Sequence, residues 1–213
     1  MNVCLFMRKC SFIFVFIMRT RNENKEQLVR QKALELIVNQ GFEGFSMQKL
    51  AKAAEVSPAT LYIYYKDKED LITSIGIEIG QKFSENILKD FDPNLPFAEG
   101  MRIQWRNRAK YAIENKPETE FYEQIRSSSF REKVMDSFVE DFKSAMGHFI
   151  KNAIKHKELN PMPLEVFWSV AYSPLYNLIR FHNEGRSMGG KPFTFSEEIM
   201  NQTLDLVLKA LKP

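Results

Sequence analysis

Apolar residues recur at helical intervals along almost the whole chain, and scarcely anywhere do they alternate with period two. Val29, Ala33, Leu36 and Ile37 fall at i, i+4, i+7 and i+8, one stripe that predicts a first helix over 22–40, closed by Gly41. Ser46 is placed to cap a second helix whose inner face is Leu50, Ala51 and Ala54, with Lys49 where a capping box prefers an acid. A tight turn at Glu55-Val56 leads to Ser57 and Pro58, the N-cap and first turn of a short helix over about 58–64. Asp67, with Asp70 three residues on, opens a fourth helix that runs to about residue 90.

Asp92–Pro96 then breaks the pattern, and further helices are predicted over 97–114, 117–126, 128–156, 163–184 and 195–211. About nine helices and no strand make an all-α protein. Two of these helices are apolar on two sides. In 163–184, Leu164, Trp168, Ala171, Leu175 and Leu178 form one track, and Phe167, Val170 and Phe181 another that Pro174 interrupts. In 195–211 the tracks are Ile199, Leu206 and Ala210, and Met200, Leu204, Val207 and Leu211. A helix apolar on two sides is covered on two sides. One track of each suits the body and the other a partner helix pair, which makes Leu164, Trp168, Ala171, Leu175, Leu178, Ile199, Leu206 and Ala210 the candidate homodimer interface. A single deep monomeric core is the alternative.

Composition narrows the class. The chain has 213 residues, 44% hydrophobic and 27% charged, an ordinary globular balance, and its net charge of +3 is no nucleic-acid signature by itself. Any nucleic-acid surface must therefore be local. Both cysteines, Cys4 and Cys10, lie in the first ten residues, which leaves no disulfide framework or Cys-based metal site and suits a reducing, cytoplasmic setting. His148, His156 and His182 share no metal-ligand spacing, and neither metal nor cofactor is expected. The opening MNVCLFMRKCSFIFVFI is too short to span a bilayer, and no small-residue cleavage site follows it. The simplest reading makes Met18 the start and residues 1–18 a non-native or disordered extension. A membrane-associated interaction protein anchored by residues 1–17 is the rival reading.

The chemistry concentrates in SPATLYIYYKDKEDL, residues 57–71. Two short helices joined by a tight turn and preceded by a longer one form a helix-turn-helix. Ser57, Pro58, Ala59 and Thr60 are small or polar, so the backbone at the start of the second short helix can approach base edges in a major groove. Leu61 and Tyr65 are expected to face the core. Tyr62 and Tyr64 each offer a flat body to a sugar and a hydroxyl to a phosphate, and Lys66 and Lys68 supply local charge. Without that motif the lysines would count only as solvated surface charges.

Residues 27–75, carrying ALELIVNQGFEGFSMQKLAKAAEVSPATLYIYYKDKEDL, resemble the TetR family of bacterial one-component transcriptional regulators. The aliphatic stripe ending in Gly-aromatic, Ser46, Leu50-Ala51 with Ala54, Val56-Ser57, Leu61-Tyr62, Tyr65, Lys68-Glu69 and Leu71 all stand at the family's spacing. Glu55 departs from it, standing where the family usually carries Gly; a non-glycine residue in a left-handed turn costs on the order of 1 kcal/mol. The resemblance implies a DNA-binding head over 19–66 and a helical body over 67–213 that dimerises and binds a small molecule. It maps DNA contacts onto Ser46, Gln48, Ser57, Ala59, Thr60, Tyr62, Tyr64 and Lys68, with Arg19 and Arg21 as a possible minor-groove arm.

A ligand-responsive, homodimeric repressor released from a palindromic operator is therefore expected, with the effector unknown and the helix over 67–90 as transmitter. Among the aromatics of 97–182, the candidate pocket residues are Trp105, Phe121, Phe138, Phe142, Trp168 and Tyr172. Arg102, Arg106, Arg108 and Arg126 could meet an acidic ligand, but surface solvation is the favoured reading of them. No nucleophile–base pair, phosphate loop or metal cluster supports an enzyme, the least favoured reading.

Overall fold

Capping residues set the helix boundaries in the computed structural model, which describes residues 3–135 and 140–213, with side chains over 24–135, at 140 and over 142–213. The described elements are eleven α-helices and one isolated bridge between Arg186 and Pro192, in keeping with the all-α expectation. The chain divides into two compact units, Met1–Ile75 and Gly76–Pro213.

In the first unit, α1 (Val3–Gly44) is helical from well upstream of Met18, through the segment that composition sets apart as an extension. It is interrupted at Gly41, where φ is +69° and ψ 174°, the left-handed φ that glycine accepts without strain. The stripe behaves as read: Val29, Ala33 and Ile37 are buried, and Leu36 half so. α2 (Met47–Ala53) starts from Ser46, whose side chain accepts from Lys49 N–H. Lys49 does not act as a capping-box acid. Its ammonium reaches back instead and donates to Gly44 O at 2.6 Å and Gln40 Oε1 at 3.0 Å, answering carbonyl groups at the end of α1. α3 (Pro58–Tyr64) follows the turn, and Glu55 has a φ of +54°, as its position required. At the start of α4 (Lys68–Ile87), Asp67 Oδ1 accepts from Asp70 N–H and Asp70 Oδ2 from Lys66 N–H, a two-way acidic cap. The first turns of α4 bury Leu71, Ile72 and Ile75.

The second unit is built around α5 (Phe97–Glu114), which buries Phe97, Met101, Gln104, Trp105, Arg108, Ala109 and Ala112 on one side. Gly100 has no room for a side chain: a Cβ there would lie 2.4 Å from the Phe149 ring of α8 (Glu140–Lys155). Of two long helices expected from periodicity, the one over 128–156 starts only at Arg131 and the one over 163–184 is divided. Residues 128–156 hold α7 (Arg131–Met135) and α8, preceded by a serine turn after α6 (Lys116–Arg126) in which Ser128 Oγ donates to Ile125 O and accepts from Phe130 N–H. Residues 163–184 hold α9 (Leu164–Ala171) and α10 (Ser173–Glu184), broken at Tyr172. Pro174 cannot donate a helical hydrogen bond, and the carbonyl of Ala171 at the break accepts from the Trp105 indole N–H at 2.9 Å.

Finally α11 (Glu197–Leu211), capped by Ser196, lays Met200, Leu204, Val207, Leu208 and Leu211 onto α5, α9 and α10. Its second track stays outside: Leu206 is 61% exposed, Ala210 exposed and Ile199 half-buried.

Candidate nucleic-acid interface and body cavity

The α2–α3 pair exposes one face of α3. Ser57 Oγ accepts from Thr60 N–H at 3.2 Å and lies 2.9 Å from Thr60 Oγ1, so the cap ties both hydroxyls together at the helix start. Leu61 and Tyr65 point inward and are buried; Arg30 lies over the Tyr65 ring at 5.8 Å. Pro58, Ala59, Tyr62, Ile63 and Lys66 point outward, with Tyr62 55% and Ile63 76% exposed. Gln48 is exposed on α2, and Ser46 and Tyr64 are half-buried. Lys68 is half-buried too: its ammonium donates to Phe42 O at 2.7 Å and lies over the Phe45 ring. A phosphate contact from Lys68 would use its remaining protons.

The second unit encloses a cavity of about 620 Å³. Its walls come from α4 (Ile79, Phe83, Ser84, Ile87), α5 (Arg108, Tyr111, Ala112), α6 and its flank (Glu118, Thr119, Tyr122, Glu123, Arg126), Arg131, Met135, Phe142, and α9–α10 (Trp168, Ser169, Ser173, Tyr176, Asn177). Volume and lining suit a drug-sized ligand. Tyr111 O–H makes a short hydrogen bond to Glu118, and Arg126 pairs with Glu123 at 3.1 Å. Burial, with Glu118 adding to it, raises the Tyr111 phenol above its ordinary range. Burial also pushes Tyr122 and Tyr172 up to about 12, the latter against the pull of Arg108. These phenols therefore stay protonated donors at neutral pH. Among the described residues no cluster of His, Cys, Asp or Glu could hold a metal ion, and no helix is long and apolar enough to cross a membrane.

A profile described as bacterial regulatory proteins, tetR family, matches residues 29–75, from the first buried residue of the α1 stripe to the end of the first unit. An uncharacterised HTH-type transcriptional regulator of Haemophilus influenzae is 36% identical over 80 residues, 38% of this chain and 43% of that protein. The HTH-type regulator YhgD of Bacillus subtilis is 27% identical over 90 residues, 42% of this chain and 44% of that protein. A TetR family transcription regulator from Marinobacter aquaeolei VT8 shares the fold, with a TM-score of 0.75 at 23% identity over 91% of this chain and 98% of its own. Residues 29–75 match the TetR family, and the chain as a whole shares the fold of a TetR-family structure. The chain aligns with less than half the length of the two sequence relatives.

The structure sorts the residues singled out from sequence. In the TetR-family head, Ser46, Gln48, Ser57, Pro58, Ala59, Thr60, Tyr62, Tyr64 and Lys66 all retain exposed surface in the helix-turn-helix, while Lys68 is held against Phe42. Ile63 stands on the same outward face, one turn after Ala59 and two residues after buried Leu61, although an isoleucine is expected inward by default. Of the pocket candidates, Phe142 and Trp168 line the cavity. Trp105, Phe121 and Tyr172 do not: each is fully buried in the core, Trp105 as the donor at the α9–α10 break. Phe138 lies outside the described residues. The reading of Arg108 as solvated is overturned, since it is 1% exposed and lines the cavity. Its spacing after Met101, Gln104 and Trp105 on the buried face of α5 carried that information. Ala171 and Leu175 leave the interface set because they are fully buried within the protomer, and Trp168 faces the cavity.

Proposed function

We propose that the protein is a ligand-responsive transcriptional regulator. It acts as a homodimer whose two α3 helices read a palindromic operator, and a small molecule in the cavity releases it. The carrying observation is the outward face of α3: small residues at its capped start, Tyr62 and Ile63 exposed beyond them, and Lys66 at its end. Small residues allow close approach to base edges, Ile63 offers an apolar contact for a thymine methyl, and Tyr62 and Lys66 suit the backbone. The match of residues 29–75 to a family of bacterial regulatory proteins supports the same reading.

Dimerisation is supported by the outer track of α11 with Leu164 and Leu178, apolar positions left at the surface once the inner track is packed. A symmetric operator needs two reading heads about 34 Å apart or a multiple of it. The cavity supplies a place for the effector. α4 is one unbroken helix that gives Leu71, Ile72 and Ile75 to the core of the first unit and Ile79, Phe83 and Ile87 to the cavity wall of the second. Weakening the operator complex 100-fold requires a coupling of about 2.7 kcal/mol, within reach of a few contacts that differ between two states.

Selection of bound sequences from a random duplex pool tests the reading directly. The purified protein should enrich a two-fold symmetric site, and Tyr62→Ala should lose it while light scattering still reports a dimer. Enrichment of no sequence would refute it, as would a monomer that binds a single half-site at full strength.

A further inference from the structure

Arg108 carries a charge in the interior, and no described residue supplies a counter-charge. It is 1% exposed, among the described residues no carboxylate pairs with it, and its Nε has no hydrogen-bond partner. Its Nη2 donates to Gln104 Oε1 at 3.3 Å, and Gln104 in turn donates to Ile87 O at 2.7 Å, so the guanidinium is held in place from the helix side. Its Nη1 donates to the Tyr176 hydroxyl at 2.8 Å. Rings of Phe83, Phe142, Trp168 and Tyr172 surround it at 4.4–5.6 Å. Arginine keeps its charge in proteins, and a buried charge is ordinarily matched by an opposite one. Aromatic faces offset part of that demand and leave no anion in place.

The other charges of the cavity do not answer it. Glu118 is engaged by Tyr111 and lies 3.9 Å from Lys82, and Glu123 is paired with Arg126. Among the described residues the walls bring three arginines against two glutamates. Because the Tyr176 oxygen accepts from Arg108, its own proton is free to be donated to an acceptor in the cavity, with the guanidinium behind it strengthening the donor. A ligand cation would meet aromatic faces already taken by Arg108 and be repelled by it.

We infer that the cavity takes an amphipathic monoanion, a carboxylate or comparable oxyanion on an apolar body. The head sits at the Arg108–Tyr176 pair and the body among Phe83, Ile87, Phe142 and Trp168. The inference rests on reading the second unit as an effector-binding body, and it names the chemical class of that effector.

Calorimetric titration of the full chain tests it, with decanoate and 2-naphthoate as probes. Decan-1-ol and 2-naphthamide serve as uncharged counterparts, and decyltrimethylammonium as the cation. Each acid should bind about tenfold or more tightly than its uncharged counterpart, as one hydrogen bond to a charged group implies. Tyr176→Phe should weaken the acids by about tenfold and leave the uncharged compounds within about twofold. Arg108→Lys, which keeps the charge and loses the fork, should weaken them in the same selective way. The inference is overturned if alcohol, amide or ammonium binds as tightly as the acids, if Tyr176→Phe weakens all probes alike, or if no probe binds up to about 1 mM. Operator binding followed in the same samples separates the two readings. Release of DNA by an uncharged or cationic probe would remove the anion and keep the regulator. Anion-selective binding by a protein that recognises no operator would do the reverse.

Discussion

Leu61 and Tyr62 are neighbours in α3, one fully buried and the other mostly in water, whereas Trp105 and Arg108, one turn apart in α5, are both enclosed. The first unit uses its helices to hold side chains outward on a thin support. The second wraps even a guanidinium. In the head a function can be changed by one substitution with little effect on folding, because the outward residues bear no load. In the body the walls of the cavity are also the core, so specificity and stability are carried by adjoining atoms.

Substitutions within each region can break this contrast, and Leu61→Ala should have the largest effect. Emptying a fully buried leucine site costs about 2–5 kcal/mol, while Tyr62→Ala beside it should cost less than about 1 kcal/mol and still abolish operator recognition. Urea midpoints for the two variants check the first half and a gel-shift titration the second; equal destabilisation would make Tyr62 part of the core. Next comes Gly100→Ala, which forces a methyl against Phe149. A loss of about 1–3 kcal/mol is expected from overpacking, read as a lower thermal midpoint of the second unit. A neutral result would mean that the body yields more than its packing suggests. Glu55→Gly works in the opposite direction: relieving a left-handed glutamate should raise the stability of the head by up to about 1 kcal/mol, measured by chemical denaturation. Smallest of all is Arg102→Ala. Its 2.7 Å pair with Asp205 is half in water, so a change of no more than about 1 kcal/mol is expected, shrinking in high salt.

The same contrast explains what could be read without coordinates. Residues 46–70 announce themselves through local chemistry: Ser46, Ser57 and Asp67 each cap the helix that follows, and Glu55 occupies the turn the spacing demanded. Such signals act over three or four residues and so are visible in a string of letters. The cavity has no local signature. Whether Trp105 or Trp168 lines it depends on packing at the α9–α10 break: Pro174 marks that break locally, but the indole that donates to Ala171 there lies 66 positions away in sequence. Arg108 shows the same conflict: its charge suggests solvent, while the phase of α5 places it inside. Periodicity likewise identified two tracks on α11, but only packing decides which of them is covered.

One contact has a wider meaning. A proline in the middle of a greasy stretch is usually a fault line, free to flex. Here the Trp105 ring fastens a carbonyl three residues before the proline, so the corner is tied to α5 by a side chain. The wall bearing Trp168 and Tyr176 thus hangs on the same helix that carries Arg108.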